Sequence, residues 1–370
     1  MKLIHISDLH LGKRLIEQSF IEDQKYILNE LIKCVKAEEA EVLLIAGDIY
    51  DRAVPSAEAV ELFDAFLTEL SECGIAVLIV AGNHDSAERL AFAGGIMKHR
   101  NIYISPVYNG KIETVTLQDE YGPIHFYLLP YLRVSQIRRY HEEEINSSEE
   151  AFKLLIGELP LNTKERNVLI AHQFVTGAEQ GGSEEFSIGG VDAIPASLFD
   201  HFDYTALGHI HKPQTMLGKI RYSGTPLKYS FSEVANQNGY SRVVLKEKGS
   251  LEVEHVPLVP LRQLKEIRGT FEELMHSADV YNREDYFHVI LTDEEDVIDG
   301  AAKLRSIYPH MLKMDYDNTR TRSTAVYHNI EKIEEKTPLE LFDDFYEMQN
   351  GKRMSEEQKD FFAKITEVEE

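Results

Sequence analysis

The chain has 370 residues, enough for two or three domains, and its 43% apolar and 28% charged residues are the balance of a soluble globular protein. Its 39 basic and 63 acidic residues leave a net charge of −24, which excludes a protein that coats nucleic acid by bulk charge but not an enzyme that holds a phosphate backbone locally. No apolar run approaches the roughly 18 residues of a membrane span. The opening MKLIHISDLH reads as a strand carrying polar residues of interest rather than a cleaved leader, and Cys34 and Cys73 read as incidental thiols of a reducing cytosol.

In chain order, KLIHIS is a strand. A helix follows from Ile21 to Ala37, with Ile27, Leu28, Leu31, Ile32 and Val35 on one face. EVLLIAG is a second strand, and the next helix starts at Ser56, an N-cap, and runs through Leu62, Phe63, Phe66, Leu67 and Leu70. IAVLIVAG is a third strand, followed by a shorter helix that carries Leu90, Phe92 and Met97. This βαβαβα pattern predicts parallel strands covered by helices. After Asn101 the chain turns strand-rich, with NIYIS, KIETVTL, IHFYLLP, NVLIAH, YTALGHI, KIRYSG and SRVVLKE, which predicts a second, mixed sheet. Between IHFYLLP and NVLIAH, LPYLRVSQIRRY interleaves Arg133, Arg138 and Arg139 with Tyr131 and Tyr140, either a strand-tracking groove or an exposed mixed-charge helix. Thr176 to Ile194 reads as a long loop rich in Gly and acids.

A boundary falls near Pro257 to Pro260, dividing the chain into residues 1–258, 259–336 and 337–370. The middle part alternates RQLKEIRG, FEELMHSA, YFHVILT, VIDGAAKLRSIY and HMLKMDY as a small α/β unit. The last part reads as two amphipathic helices. Thr337 caps the first with Pro338 behind it, Gly351 marks the turn, and Ser355 with Gln358 forms a capping box for the second. Leu339, Leu341, Phe342, Phe345, Tyr346, Phe361, Phe362 and Ile365 are a heavy apolar load for such a tail, set for docking or for folding back on the α/β unit.

Seven polar residues follow the buried-strand runs directly. They are Asp8 and His10 in IHISDLHLG, Asp48 in LLIAGDIYDR, Asn83 in LIVAGNHDS, His172 in VLIAHQF, and His209 and His211 in ALGHIHKP. Strand ends in layered α/β folds converge on one edge, where ligand sites form. Imidazoles, carboxylates and an amide oxygen together suit two divalent ions such as Mn²⁺, Fe²⁺ or Zn²⁺. Two such ions about 3.5–4 Å apart are a standard device for attacking a phosphoester.

Read in order as DxH, GDxxD, GNHD, H and GHxH, the set resembles the calcineurin-like metallophosphoesterase family. The resemblance implies a two-sheet α-β-β-α sandwich with a small α/β capping domain and a C-terminal helix pair. It implies that Asp8, His10, Asp48 and His211 hold one metal and that Asp48, Asn83, His172 and His209 hold the other, with Asp48 as the bridge. A water shared by the ions is then the nucleophile. His84 becomes the proton donor to the leaving oxygen, and Asp51 is placed to hydrogen-bond His84 and fix its tautomer. Arg52 is either a phosphate contact or a solvated arginine.

ISDLHLGKRL, RYSGTPLKYSFSE from Arg221 to Glu233, and the layout of the chain resemble the SbcD and Mre-type DNA repair nucleases within that family. That likeness implies a cytoplasmic, nucleoid-associated bacterial enzyme of repair, replication and recombination, with Mn²⁺-dependent exonuclease activity on DNA ends and endonuclease activity on hairpins and single strands. It also implies a homodimer, and docking of Thr337 to Glu370 on an SbcC-type coiled-coil ATPase, consistent with the lack of a P-loop in this chain. The competing readings are a phosphoprotein phosphatase or small-molecule phosphodiesterase on the same core, towards which Asp51 and Arg52 lean, and a metal-site scaffold without catalysis.

Overall fold

The computed structural model describes residues 1–142, 144–179, 193–277, 280–319, 321–322, 338–350, 353–356, 358–359 and 361–362. Two six-stranded sheets stack face to face. The first runs, in spatial order, Leu251–Pro257, Gly239–Leu245, Lys2–Ile6, Val42–Ala46, Ala76–Val80 and Ile102–Ile104, the last four mutually parallel. The second runs Gln214–Met216, Ile220–Tyr222, Tyr204–Gly208, Arg166–His172, Gly122–Leu129 and Glu113–Asp119, with a parallel centre and antiparallel edges.

The continuous apolar runs exist because both faces of the central strands are covered. Leu43, Ile45, Val77 and Ile79 pack beneath the helices Ile21–Ala37 and Ala57–Glu72. Their neighbours Val42, Leu44, Ala46, Leu78 and Val80 meet Ile124, Phe126, Leu128, Val168 and Ile170 of the other sheet. On the far side Tyr127, Leu129, Leu169 and Ala171 lie under the helix Ser148–Gly157. This is the expected α-β-β-α sandwich. Ser56 caps its helix as expected, accepting from the Ala59 amide at 3.3 Å.

Three expectations are corrected. NIYIS and SRVVLKE lie after Asn101 but join the first sheet, beside Ala76–Val80 and Lys2–Ile6. The helix after IAVLIVAG is two single turns, Ala87–Leu90 and Gly94–Met97, parted where Ala93 takes a left-handed conformation at φ 59°. Of its apolar residues Leu90 is buried, but Phe92 is 79% exposed.

The strands Leu264–Gly269, Tyr286–Leu291 and Met311–Tyr316 form a separate parallel sheet, crossed by the helices Phe271–His276 and Gly300–Ile307. Its core is Ile267, Leu274, Phe287, Val289, Leu291, Leu304, Tyr308 and Met311. It seats on the sandwich through a cluster in which Phe20, Ile27, Leu227 and Tyr229 meet Leu264 and Tyr286. Polar ties reinforce the seat, since Tyr286 Oη donates to Asp23 at 2.7 Å and Arg262 reaches Asp23 at 3.1 Å and Glu22 at 2.8 Å.

At the C-terminus the helix Pro338–Asn350 is followed by helical residues at 356, 358–359 and 361–362. Ser355 and Gln358 make the reciprocal capping bonds, at 2.9 and 3.3 Å, and the rings of Phe342 and Phe362 stack at 4.2 Å. The expected cap at Thr337, the turn at Gly351, Ile365 and most of the Thr176 to Ile194 loop lie outside the described residues. No helix among the described residues is long and apolar enough to cross a membrane, and Cys34 and Cys73 are both free thiols.

Candidate metal centre

The parallel strands deliver the seven residues to one edge. Lys2–Ile6 leads to Asp8 and His10, Val42–Ala46 to Asp48, and Ala76–Val80 to Asn83 and His84. From the other sheet, Arg166–His172 ends on His172, and Tyr204–Gly208 leads to His209 and His211. Asp8, His10, Asp48 and His209 all sit at positive φ, between 43° and 96°. That region costs an L-residue about 1–2 kcal/mol. It is held by bonds between the strand ends, including Asp8 N to Gly47 O at 3.0 Å, His10 N to Asp48 O at 3.0 Å and His209 N to Asp8 Oδ1 at 3.0 Å. Backbone strain concentrated at one edge is what a functional site looks like.

The glycines of GN and GH are explained by the same crowding. A Cβ on Gly82 would lie 2.8 Å from Asp48 Cγ and closer still to Asp48 Oδ1. One on Gly208 would lie 2.7 Å from His172 Nδ1 and closer still to Ala46 O.

Asp48 is central. Its Oδ2 is 3.4 Å from His172 Nε2, 3.7 Å from His10 Nε2 and 4.0 Å from His84 Nε2, and its Oδ1 accepts the His84 amide at 2.9 Å. Three groups of side chains bring their donor atoms close enough to share an ion: Asp8, His10 and His211; His10, Asp48 and His84; and Asp8, Asp48 and His172. Asn83 Oδ1 lies 3.0 Å from His172 Nε2 and 3.1 Å from His209 Nδ1. All seven residues expected from the sequence thus meet at one place, with His84 at its rim.

The donor set fits a cation on its own chemistry. His172 Nδ1 is 2.8 Å from Ala46 O, and a carbonyl can only accept, so Nδ1 carries the proton. Neutral His172 would then turn a bare Nε2 towards the acceptor oxygens of Asn83 and Asp48. Such a contact needs a positive centre, either a proton or a metal ion. In keeping with this, burial lowers the His172 pKa but the Asp48 and Asp8 carboxylates lift it to about 9. Burial opposes charge on Asp48, yet His172, with His10 and His84, holds its carboxyl well below the usual carboxylate range. Burial pushes His10 well down and, with His172 beside it, lowers His209 to about 3, which keeps both imidazoles in the neutral form that binds metal.

One contact differs from expectation. His84 Nδ1 bonds to Asp51 at 2.9 Å, but through the Asp51 main-chain carbonyl. The Asp51 carboxylate turns instead to Lys13, 2.8 Å away, and lies 3.8 Å from His10 Nδ1. Arg52 is largely solvated, its Nε 3.8 Å from Asp51 Oδ2. Of the interleaved arginines and tyrosines, Tyr131 reaches the site, its ring 6.4 Å from that of His172, whereas Arg138 donates to Ile145 O at 2.7 Å.

Three supporting residues escape a reading of the sequence. Asp85 accepts the amides of Ile49, Tyr50 and Gly82 at 2.9–3.1 Å, tying the Asp48 turn to the Asn83 turn. Burial and the nearby Asp48 raise its pKa to about 6. Gln24 donates to His10 O at 2.7 Å and accepts from Gly12 N at 2.9 Å. Glu233 lies 2.7 Å from His211 Nδ1. Asp85 had a local signal in its place in GNHD and Glu233 in its place at the end of RYSGTPLKYSFSE, whereas Gln24 had none.

Residues 1–213 match the family model for the calcineurin-like phosphoesterases. The chain belongs to that family. A calcineurin-like phosphoesterase is a metal-dependent hydrolase, and the clusters around Asp48 suit divalent metal ions. Residues 258–350 match a second model, SbcD_C, described as the Type 5 capsule protein repressor C-terminal domain, and the two matches in tandem are those of an SbcD-type protein. Among solved structures, a dimetal phosphatase from Danio rerio is 13% identical, with 67% of this chain and 93% of that one covered at a TM-score of 0.42. The protein TT1561 of Thermus thermophilus is 14% identical, with 69% and 98% covered at a TM-score of 0.40.

Proposed function

We propose that this calcineurin-like phosphoesterase is the Mn²⁺-dependent nuclease subunit of an SbcCD-type complex, hydrolysing DNA phosphodiesters at double-strand ends and, as an endonuclease, at hairpins and single strands. The observation that carries the reading is the pairing of an Asp48-centred cluster with an SbcD-type C-terminal match over the three-stranded unit. Asp8, His10, Asp48 and His211 hold one ion, and Asp48, Asn83, His172 and His209 the other. The ions supply charge to the phosphoryl oxygens and a lowered pKa for water.

The chain's own residues do the rest. Asp48 Oδ2, 3.7 Å from His10 Nε2 and 3.4 Å from His172 Nε2, is placed so that it would serve both ions. His84 is held through Nδ1 by the Asp51 carbonyl, so its Nε2 is the atom that carries a proton to the leaving oxygen. Residues 1–258 form the nuclease domain and 259–336 the capping domain that guides DNA. Residues 337–370 dock on an SbcC-type coiled-coil ATPase, a role supported by Phe345 and Phe361, which are 51% and 67% exposed. Phe92, in the link between the two helical turns, and Ile96, on the second of them, are exposed and support a homodimer.

The test gives purified protein with Mn²⁺ three substrates in parallel: a hairpin DNA, an aryl phosphodiester and an aryl phosphomonoester. Cleavage of the hairpin, suppressed by chelation, is expected. Turnover of the monoester without DNA cleavage would replace the nuclease reading with a phosphatase one.

A further inference from the structure

Glu233 is fully buried, and its two oxygens face different ways. Oε1 lies 2.7 Å from His211 Nδ1, and Oε2 accepts the Tyr229 amide at 2.8 Å. A carboxylate out of water is costly to place, so one kept against an imidazole needs a use. The partner nitrogen gives it one. With Nδ1–H donated to Glu233, His211 presents a bare Nε2, and that Nε2 lies 3.1 Å from His10 Nε2 in the group shared with Asp8.

We infer that Glu233 is the positioning residue for His211, holding its tautomer and its ring so that Nε2 faces the metal centre. The inference rests on the proposal that His211 is a metal ligand. Carboxylates in this place raise ligand basicity as well as fixing direction. Glu233 is itself fixed. It ends the turn Phe231–Glu233, whose N-cap Ser230 accepts the Ser232 amide at 3.2 Å, and Tyr229 donates its hydroxyl to Leu9 O while its ring lies 5.6 Å from that of His10. The turn is also gripped from outside the sandwich, with the Phe231 ring 5.0 Å from His288 on the strand Tyr286–Leu291. The positioning group therefore stands between the metal centre and the three-stranded unit.

The experiment compares wild type with Glu233→Ala, Glu233→Gln and His211→Ala. Mn²⁺ binding is followed by calorimetry, and the His211 ring protons of the metal-free protein by NMR. Glu233→Ala is expected to weaken one of two Mn²⁺ sites about 10–100-fold and leave the other unchanged. It should also remove the hydrogen-bonded Nδ1–H resonance. Glu233→Gln keeps an acceptor oxygen, so the resonance should persist and the loss should be smaller, about 3–10-fold. Should the alanine variant fail to fold, the glutamine variant decides, and wild-type affinity there overturns the inference. A Glu233→Ala isotherm that superimposes on wild type, while His211→Ala loses one ion, also overturns it. If His211→Ala itself keeps both ions at full affinity, the ligand reading beneath it fails instead.

Discussion

Substituting Gly208 by alanine tests the packing argument for the metal centre directly. The backbone there is not in the left-handed region, so alanine meets no conformational penalty, and space is the only obstacle. The new Cβ would stand 2.7 Å from His172 Nδ1 and 2.9 Å from Ser7 Cβ, and closer still to Ala46 O. Ala46 ends a strand buried on both faces, so its carbonyl cannot retreat without moving the first sheet. That carbonyl is also the acceptor that orients His172. Overpacking costs about 1–3 kcal/mol and an unmade buried hydrogen bond another 1–3 kcal/mol or so. The sum, about 2–6 kcal/mol, is a large part of the 5–15 kcal/mol or so that holds a typical domain folded. Urea unfolding should show that loss, and calorimetry should show one Mn²⁺ site weakened about 10–100-fold through misdirection of His172. The control is Gly157→Ala, at a helix end where no atom lies within 4 Å of the new Cβ, which should be neutral or stabilising by up to about 1 kcal/mol. A Gly208→Ala protein with wild-type stability and two full-affinity sites would refute the reasoning.

Replacing His84 by alanine should leave both Mn²⁺ ions bound by elemental analysis while hairpin cleavage falls about 10²–10⁴-fold; a lost ion would make His84 a ligand alongside His10 and Asp48. Asp119 is half-buried against Arg166, and although burial works against its charge, the guanidinium holds its pKa below the ordinary value. A depressed carboxylate adds stability above its unfolded pKa of about 4 that is lost as pH falls, so Asp119→Asn should cost about 1–3 kcal/mol at pH 7, with the gap to wild type narrowing in urea melts below about pH 4. On the proposed dimer, light scattering should give a dimer for wild type and a monomer for Phe92→Asp. Truncation after Lys336 should keep Mn²⁺-dependent cleavage and abolish capture of the coiled-coil ATPase in a pull-down.

The seven candidate ligands were legible because the physics that places them is local. A strand buried on both faces must be apolar throughout, and the first polar residue beyond it stands at the sheet edge. Gly82 and Gly208 fit the same picture, since each precedes a candidate ligand and lies against the residue of a neighbouring strand end. What the sequence withheld depends on distances that no spacing encodes. Phe92 fits a helical pattern, but the helix stops at Leu90 and the chain turns through a left-handed Ala93, which leaves the ring in solvent. The sheet membership of Ile102–Ile104 is set by its parallel pairing beside Ala76–Val80, a long-range partner that the change to a strand-rich pattern does not name. The Asp51 contact is made by a main-chain oxygen, which any residue would supply, so its side chain is free to answer Lys13 instead.

Glu233 marks where local reading ends for a further reason. It is 22 residues from His211, and although it closes the segment RYSGTPLKYSFSE, nothing in that segment says that its carboxylate meets His211. It is recruited because the antiparallel return of Gly239–Leu245 onto Lys2–Ile6 brings the preceding turn back over the strand ends. The ligands follow from the pattern of individual strands, whereas the groups that aim them follow from how the chain closes on itself. An alanine scan for metal affinity should therefore find strong effects in two classes: polar residues directly after apolar runs, and buried carboxylates or amides such as Glu233, Asp85 and Gln24 that reach the ligands from turns and helices elsewhere. Were the second class silent in calorimetry, the strained strand ends alone would suffice to hold the centre.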